Sequence, residues 1–276
     1  MNSRRQFTRN LAFSATALTS LAPTQAQTIG IFQHGVASGD PLLNRVIIWT
    51  RVTPVGNEEV VSVDWFISDE PTMTRILQRG VTATNPGFDY TVKVDVTRLD
   101  PNKTYYYRFA VRGELSPIGR TKTLPVGAVD RARLAVVSCS NLPYGFFNAY
   151  RLIAQRSDLD AVLHLGDYIY EYANKVYGDG TSTGRVPSPD KETVTLSDYR
   201  ARYAQYRRDP DLQEAHRQHP WIIVWDDHES TNDSWLGGAE NHQPLTEVEW
   251  SSLNGSRFGR TPQQMGRFIA TSDLEI

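Results

Sequence analysis

A chain of 276 residues has room for one large domain or two ordinary ones. With 39% hydrophobic and 22% charged residues, its composition is that of a soluble globular protein rather than a disordered chain. A formal net charge of −2 gives no bulk electrostatic case for nucleic acid, and no nucleic-acid-binding signature stands out.

Residues 1–26 read as an export signal. MNSRRQFTRN is basic, with paired Arg4 and Arg5, and LAFSATALTSLA is apolar but too short to span a bilayer. Small residues around Thr24 to Ala26 suit cleavage, and Ser-Arg-Arg-x-Phe closely resembles a twin-arginine signal. The expected partner is the twin-arginine export machinery. The mature chain would start near Gln27, carry no transmembrane segment and reside in the periplasm or outside the cell. In such a place a lone cysteine, Cys139, has no intramolecular disulfide partner. It is either a small buried hydrophobe or a ligand.

Residues 30–124 read as an all-β sandwich. FQHGVASGDP, with His34 and Asp40, is a turn-forming lead-in. Val46–Val52, Val60–Ser68, Thr91–Val96 and Lys103–Arg112 alternate and are rich in Val, Ile, Tyr and Trp. Turn clusters at Pro54–Asn57, Asn85–Gly87 and Leu99–Asn102 separate them. Residues 125–133 carry Pro, Gly and charge, and read as an interdomain linker.

From Leu134 the pattern changes to strand, helix, strand. Leu134–Ser140, Ala161–Tyr170 and Trp221–Glu229 are short apolar runs, each ending in a polar cluster. Between helices, such runs suggest buried parallel strands. A helix is expected from about Phe147 to Arg156, with Phe147, Tyr150 and Ile153 on its apolar face. A polar loop over 172–196 suggests a wall of a cleft. A second helix follows, with Ser197 as N-cap and a packing stripe of Tyr199, Tyr203 and Tyr206. A third starts at Asp209-Pro210, with His216 and His219 read as capping or surface residues near its end.

Ligands bind at the carboxyl ends of strands in open α/β sheets. Here those ends carry Cys139, Asp167, Tyr170, Asp227 and His228, with Asn141, Asn232 and Asp233 close by in sequence. Gly166-Asp167-x-x-Tyr170 can aim a carboxylate and a phenol at one ion, and an Asp can bridge two metals. Thiolate and phenolate favour iron; carboxylates and amides suit calcium, magnesium or manganese. Asp227 can hold a second metal, and His228 can serve as general acid toward a leaving oxygen. Each fragment alone is a common turn or cap; together, on three strands, they are a specific signal.

These segments resemble the PhoD-like alkaline phosphatases (alkaline phosphatase D), within the binuclear metallophosphoesterases. FQHGVASGDPLLNRVIIWTRVTP and YYYRFAVRGELSPIGRTKTLP resemble the family's N-terminal domain. VVSCSNLPYGFFNAYRLIA, HLGDYIYEY, the stretch from YRARYAQYRRDP to WDDHE, and AENHQP resemble its catalytic domain. The resemblance implies an α/β metallophosphoesterase-like domain, incomplete here, preceded by an all-β fibronectin- or immunoglobulin-like sandwich. It implies Cys139, Asp167 and Tyr170 as ligands of ferric iron, Asp167 bridging to calcium, and Asp227 on the second metal. His228 would act near the phosphate, with Asn232 and Asn141 in contact with substrate or supporting the ligands. The implied activity is hydrolysis of phosphomonoesters or phosphodiesters.

The resemblance fades near residue 250, where periodicity is also lost. The catalytic part is therefore expected over 134–250, with 251–276 a divergent tail and the chain a shortened family member. Its activity is then in question. The alternative is a non-catalytic remnant whose β-sandwich is a binding module.

Overall fold

The computed structural model describes residues 30–54, 56, 58–234 and 239. The expected export signal over 1–26 and the expected tail over 251–276 lie outside the described residues. Eight strands come first: β1 (Val36–Gly39), β2 (Val46–Arg51), β3 (Val61–Ser68), β4 (Ile76–Thr84), β5 (Thr91–Val96), β6 (Thr104–Val111), β7 (Glu114–Leu115) and β8 (Gly119–Lys122). Then follow β9 (Leu134–Val137), α1 (Asn148–Ala154), β10 (Ala161–His164), α2 (Leu196–Tyr206), α3 (Pro210–Gln218) and β11 (Pro220–Ile223).

Two sheets carry these strands. One has the order β4-β3-β6-β7, with β8 pairing β6. The other runs β5-β2-β1-β11-β10-β9. β9, β10 and β11 are parallel, and β1 joins them by pairing parallel with β11, Ser38 opposite Pro220 and Gly39 opposite Trp221. The strands of the N-terminal sandwich and of the α/β part thus form one continuous sheet.

Apolar alternation explains the first core. Val36, Ile48, Val63, Ile67, Val92, Tyr107 and Phe109 all sit in one buried cluster. The second cluster joins the helices to the parallel strands through Tyr150, Val162, Tyr168, Tyr203, Leu212 and Trp221. Helix starts are chemically marked. Asp209 caps α3 by accepting from the N–H groups of Asp211 and Leu212, with Pro210 in the first turn.

Several expectations need correction. Ser197 does not cap α2: Thr195 does, in a capping box with Asp198. The lead-in around His34 contains a strand, β1, and His34 is fully buried. β4 escapes a pattern reading because ILQRGVTAT is mostly exposed and carries little apolar alternation. Its Gly80 lies opposite Trp65, where any side chain would strike the indole. His216 and His219 are buried, not surface residues; His216 stacks on Trp221 at 3.8 Å. Finally, the parallel strands are covered on one face only among the described residues. Leu134, Val136, Ile222 and Val224 point outward and are exposed, so β9 reads as a half-covered edge strand rather than a buried one.

Candidate metal centre

The three parallel strands end side by side, and short backbone bonds bind their following loops together. Cys139 N–H donates to Gly166 O (3.2 Å) and Ser140 N–H to Asp167 O (2.8 Å). Cys139 and Asp167 both adopt positive φ, at 59° and 55°, a conformation that costs energy for residues with a side chain. That turn swings both side chains to the same place. Gly166, at φ 99°, makes the turn possible: a Cβ there would run into the backbone of Asp226.

Asp167 is the centre of the cluster. Its Oδ2 accepts from Cys139 Sγ at 3.4 Å and from Tyr170 Oη at 3.1 Å. Its Oδ1 is buried and meets no hydrogen-bond partner among the described residues. Asp167, Asp227 and His228 also offer ligand atoms that lie within 4.8 Å of one another. Asp167 therefore belongs to two donor groups at once: one with a thiol and a phenol, the other with a carboxylate and an imidazole. Burial, then the neighbouring Asp167 and Cys139, pushes Tyr170 ionisation far above that of an ordinary phenol. A thiol, two carboxylates, a phenol and an imidazole around an unpaired buried carboxylate oxygen fit a cation well.

Two glutamates that sequence reasoning passed over hold this arrangement. Glu171, fully buried, places Oε2 2.8 Å from His228 Nδ1 and accepts the Asn232 N–H at Oε1, also 2.8 Å. Burial disfavours a charged His228, but Glu171, with Asp167 and Asp227, outweighs it and raises the imidazole above its ordinary value. Glu229 accepts from the N–H groups of Tyr168 and Asp226, the latter at 2.9 Å, and so stitches the second loop to the third. The signal for both was there: each glutamate stands in the same short motif as the candidate ligands, GDYIYE and DDHE.

The remaining predicted residues fall around the cluster. Asp233 N–H donates to Asp227 Oδ2 at 2.7 Å, and Asn232 Nδ2 lies 3.4 Å from Asp233 Oδ2. Asn141 donates to Tyr177 O at 3.2 Å, while its Oδ1 is buried without a partner among the described residues. Tyr177 comes from the 172–196 loop, and its ring lies 6.3 Å from that of His228. The loop is held from below by Arg202, 1% exposed, which donates to the carbonyls of Tyr170, Tyr172, Ser188, Pro189 and Lys191.

A β-sandwich whose sheet runs on into parallel strands, with metal-type donors at their carboxyl ends, defines a metallophosphoesterase-like architecture. Two family models match: the PhoD-like phosphatase over residues 134–257, and the PhoD-like phosphatase N-terminal domain over residues 16–125. Alkaline phosphatase D of Bacillus subtilis (strain 168) is 40% identical over 235 residues, which is 78% of this chain and 40% of that protein. A solved structure of PhoD matches with a TM-score of 0.74 and 36% identity, over 88% of this chain and 46% of the other. The chain belongs to the PhoD-like phosphatase family, and it spans less than half the length of these relatives.

Proposed function

We propose that this site belongs to a phosphate-ester hydrolase of the alkaline phosphatase D type, acting on phosphomonoesters or phosphodiesters. The observation that carries the reading is the double membership of Asp167, grouped with Cys139 and Tyr170 and also with Asp227 and His228. In it, Cys139, Asp167 and Tyr170 would hold ferric iron, and Asp167 and Asp227 would hold calcium. Metal ions at such a site activate an oxygen nucleophile and stabilise charge on the transferring phosphoryl group. The chain's own residues supply the rest. Glu171 fixes the His228 ring through Nδ1, which leaves Nε2 to pass a proton to the leaving oxygen. Asn232 and Asn141 flank the cluster and orient substrate. The loop over 172–196 forms one wall and limits water on that side. Residues 1–26 direct export through the twin-arginine machinery to the periplasm or beyond; among the described residues no helix is long and apolar enough to cross a membrane.

The test is metal analysis together with hydrolysis of p-nitrophenyl phosphate and bis-p-nitrophenyl phosphate, with iron and calcium supplied. Metal-dependent turnover that disappears in Asp167→Asn supports the reading. Protein that takes up neither metal overturns it. A second reading, a binding protein without turnover, is favoured by one observation: Cys139 is exposed, and so is the sheet face beside it at Val136 and Val224. Metal bound without turnover on either substrate would support that second reading.

A further inference from the structure

A cavity separate from the metal-type donors lies where α2 faces the N-terminal strands. Its walls are Trp49 and Arg51 from β2, Tyr203, Ala204 and Arg207 from the α2 end, and Trp225 after β11, among others. The unusual member is Arg207. It is 8% exposed, and its guanidinium lies over the Trp49 ring at 4.3 Å. Its Nη1 donates to Tyr168 Oη at a long 3.4 Å, while Nε and Nη2 are buried and meet no acceptor among the described residues.

The neighbouring charges do not balance it. Arg51, on the same wall, gives its own Nε and Nη2 to Asp89, which removes that carboxylate. Glu229, also lining the cavity, spends its oxygens on the backbone N–H groups of Tyr168 and Asp226. His34 and His216 are held neutral by burial, with the Arg207 charge contributing, His34 down to about 3. Arg200 at the cavity edge donates to the carbonyls of Pro86 and Gly87. Arg207 is thus a buried cation lacking an anion, a costly arrangement unless something supplies the missing charge.

The unpaired edge of Arg207 specifies what would fit. Nε and Nη2 form the side-on fork of a guanidinium, which matches two oxygens of one carboxylate or phosphate. Elsewhere in this chain the same pair of nitrogens grips a carboxylate, in Arg45 with Asp95, Arg51 with Asp89, and Arg217 with Glu214. Beside Arg207, the rings of Tyr203 and Trp225 line the cavity, and Trp49 carries the guanidinium on its own ring, an aromatic wall suited to a flat apolar body. We propose that this cavity binds a small organic anion, its two-oxygen head on the Arg207 fork and its flat body against the aromatic wall. The site does not depend on the metal reading. It does share a wall with it, because Tyr168 follows Asp167 and Glu229 follows His228 in the chain.

Benzoate and phenylphosphonate are suitable probes, with benzyl alcohol as the neutral control, titrated by calorimetry and tryptophan fluorescence on the full chain. At least one anion is expected to bind at a single site and raise the melting temperature; which one binds tells carboxylate from phosphate. Arg207→Gln should weaken that binding at least tenfold, and Arg207→Lys should weaken it too, because it keeps the charge without the fork. Ala204→Leu, which narrows the cavity and leaves Arg207 in place, should weaken it and guards against misfolding of the arginine variants. Equal binding of benzyl alcohol, unchanged binding in all three variants, or no binding of either anion at millimolar concentration would overturn the proposal.

Discussion

His228 Nδ1 and Glu171 Oε2 stand 2.8 Å apart in a buried pair that links the second strand-end loop to the third. A carboxylate on one ring nitrogen fixes both the tautomer and the ring plane, so chemistry at the other nitrogen inherits its aim from Glu171. Glu171→Ala is therefore expected to lower turnover of p-nitrophenyl phosphate by about 10–100-fold, the usual effect of removing such a supporting group. Metal content should stay near that of the parent. A kcat unchanged in Glu171→Ala would show that His228 needs no such partner.

The donor set makes a spectroscopic prediction. Ferric iron bound by a phenolate gives a visible charge-transfer band. Loading the protein with ferric iron should colour it; Tyr170→Phe and Cys139→Ser should each shift or weaken the band, because thiolate and phenolate both contribute, while Asp167→Asn removes the iron. A spectrum unchanged in Tyr170→Phe would place the phenolate elsewhere.

Gly166 is a backbone requirement. Gly166→Ala must both hold a side chain at φ 99° and open space against Asp226. The backbone strain alone is worth roughly 1–3 kcal/mol. A clearly lower melting temperature is expected, with weaker metal uptake because the second and third loops move apart. A melt matching the parent would mean that the turn relaxes without cost.

The capping box of α2 predicts an acid limb. Burial works to raise the Asp198 carboxyl, but donors from Thr195, Lys191 and Val194 outweigh it and hold it well below the ordinary carboxylate range. A depressed folded value means that the stabilisation is present above the unfolded value of about 3.9 and is lost as pH falls toward the folded one. Asp198→Asn should therefore lose about 1 kcal/mol at neutral pH, typical of a cap, and lose less on acidification below about pH 4 than the parent does. Denaturant melts across that range measure both.

Arg202 predicts how the long loop opens. Arg202→Met leaves five carbonyl contacts without their donor. Hydrogen exchange and proteolytic cutting within 172–196 should rise, with the sandwich strands protected as before. Protection that does not change would show that the loop is held by other contacts.

Much of this was legible because it rests on local pattern. Alternation found β2, β3, β5 and β6, and the polar ends of three apolar runs led to Cys139, Asp167, Tyr170, Asp227 and His228, which the fold brings to one edge. What escaped depends on neighbours distant in sequence. β1 is four residues containing Ser and Gly, and it is a strand because β2 and β11 flank it. Glu171 and Glu229 stand inside GDYIYE and DDHE, but their partners, like those of Arg202, lie across loops. His216 looked like a helix-end residue because its stacking partner, Trp221, lies on the following strand.

The pairing of β1 with β11 has a consequence for how the chain matures. Strand β1 lies near the start of the described residues, and its parallel neighbour begins at Pro220. The central sheet cannot close until nearly all of the described chain has been made, and contacts so distant in sequence make folding slow. Until then the β1 edge stays open, so a chaperone that shields a sheet edge should prefer nascent chains stopped before Pro220 to those that extend past it.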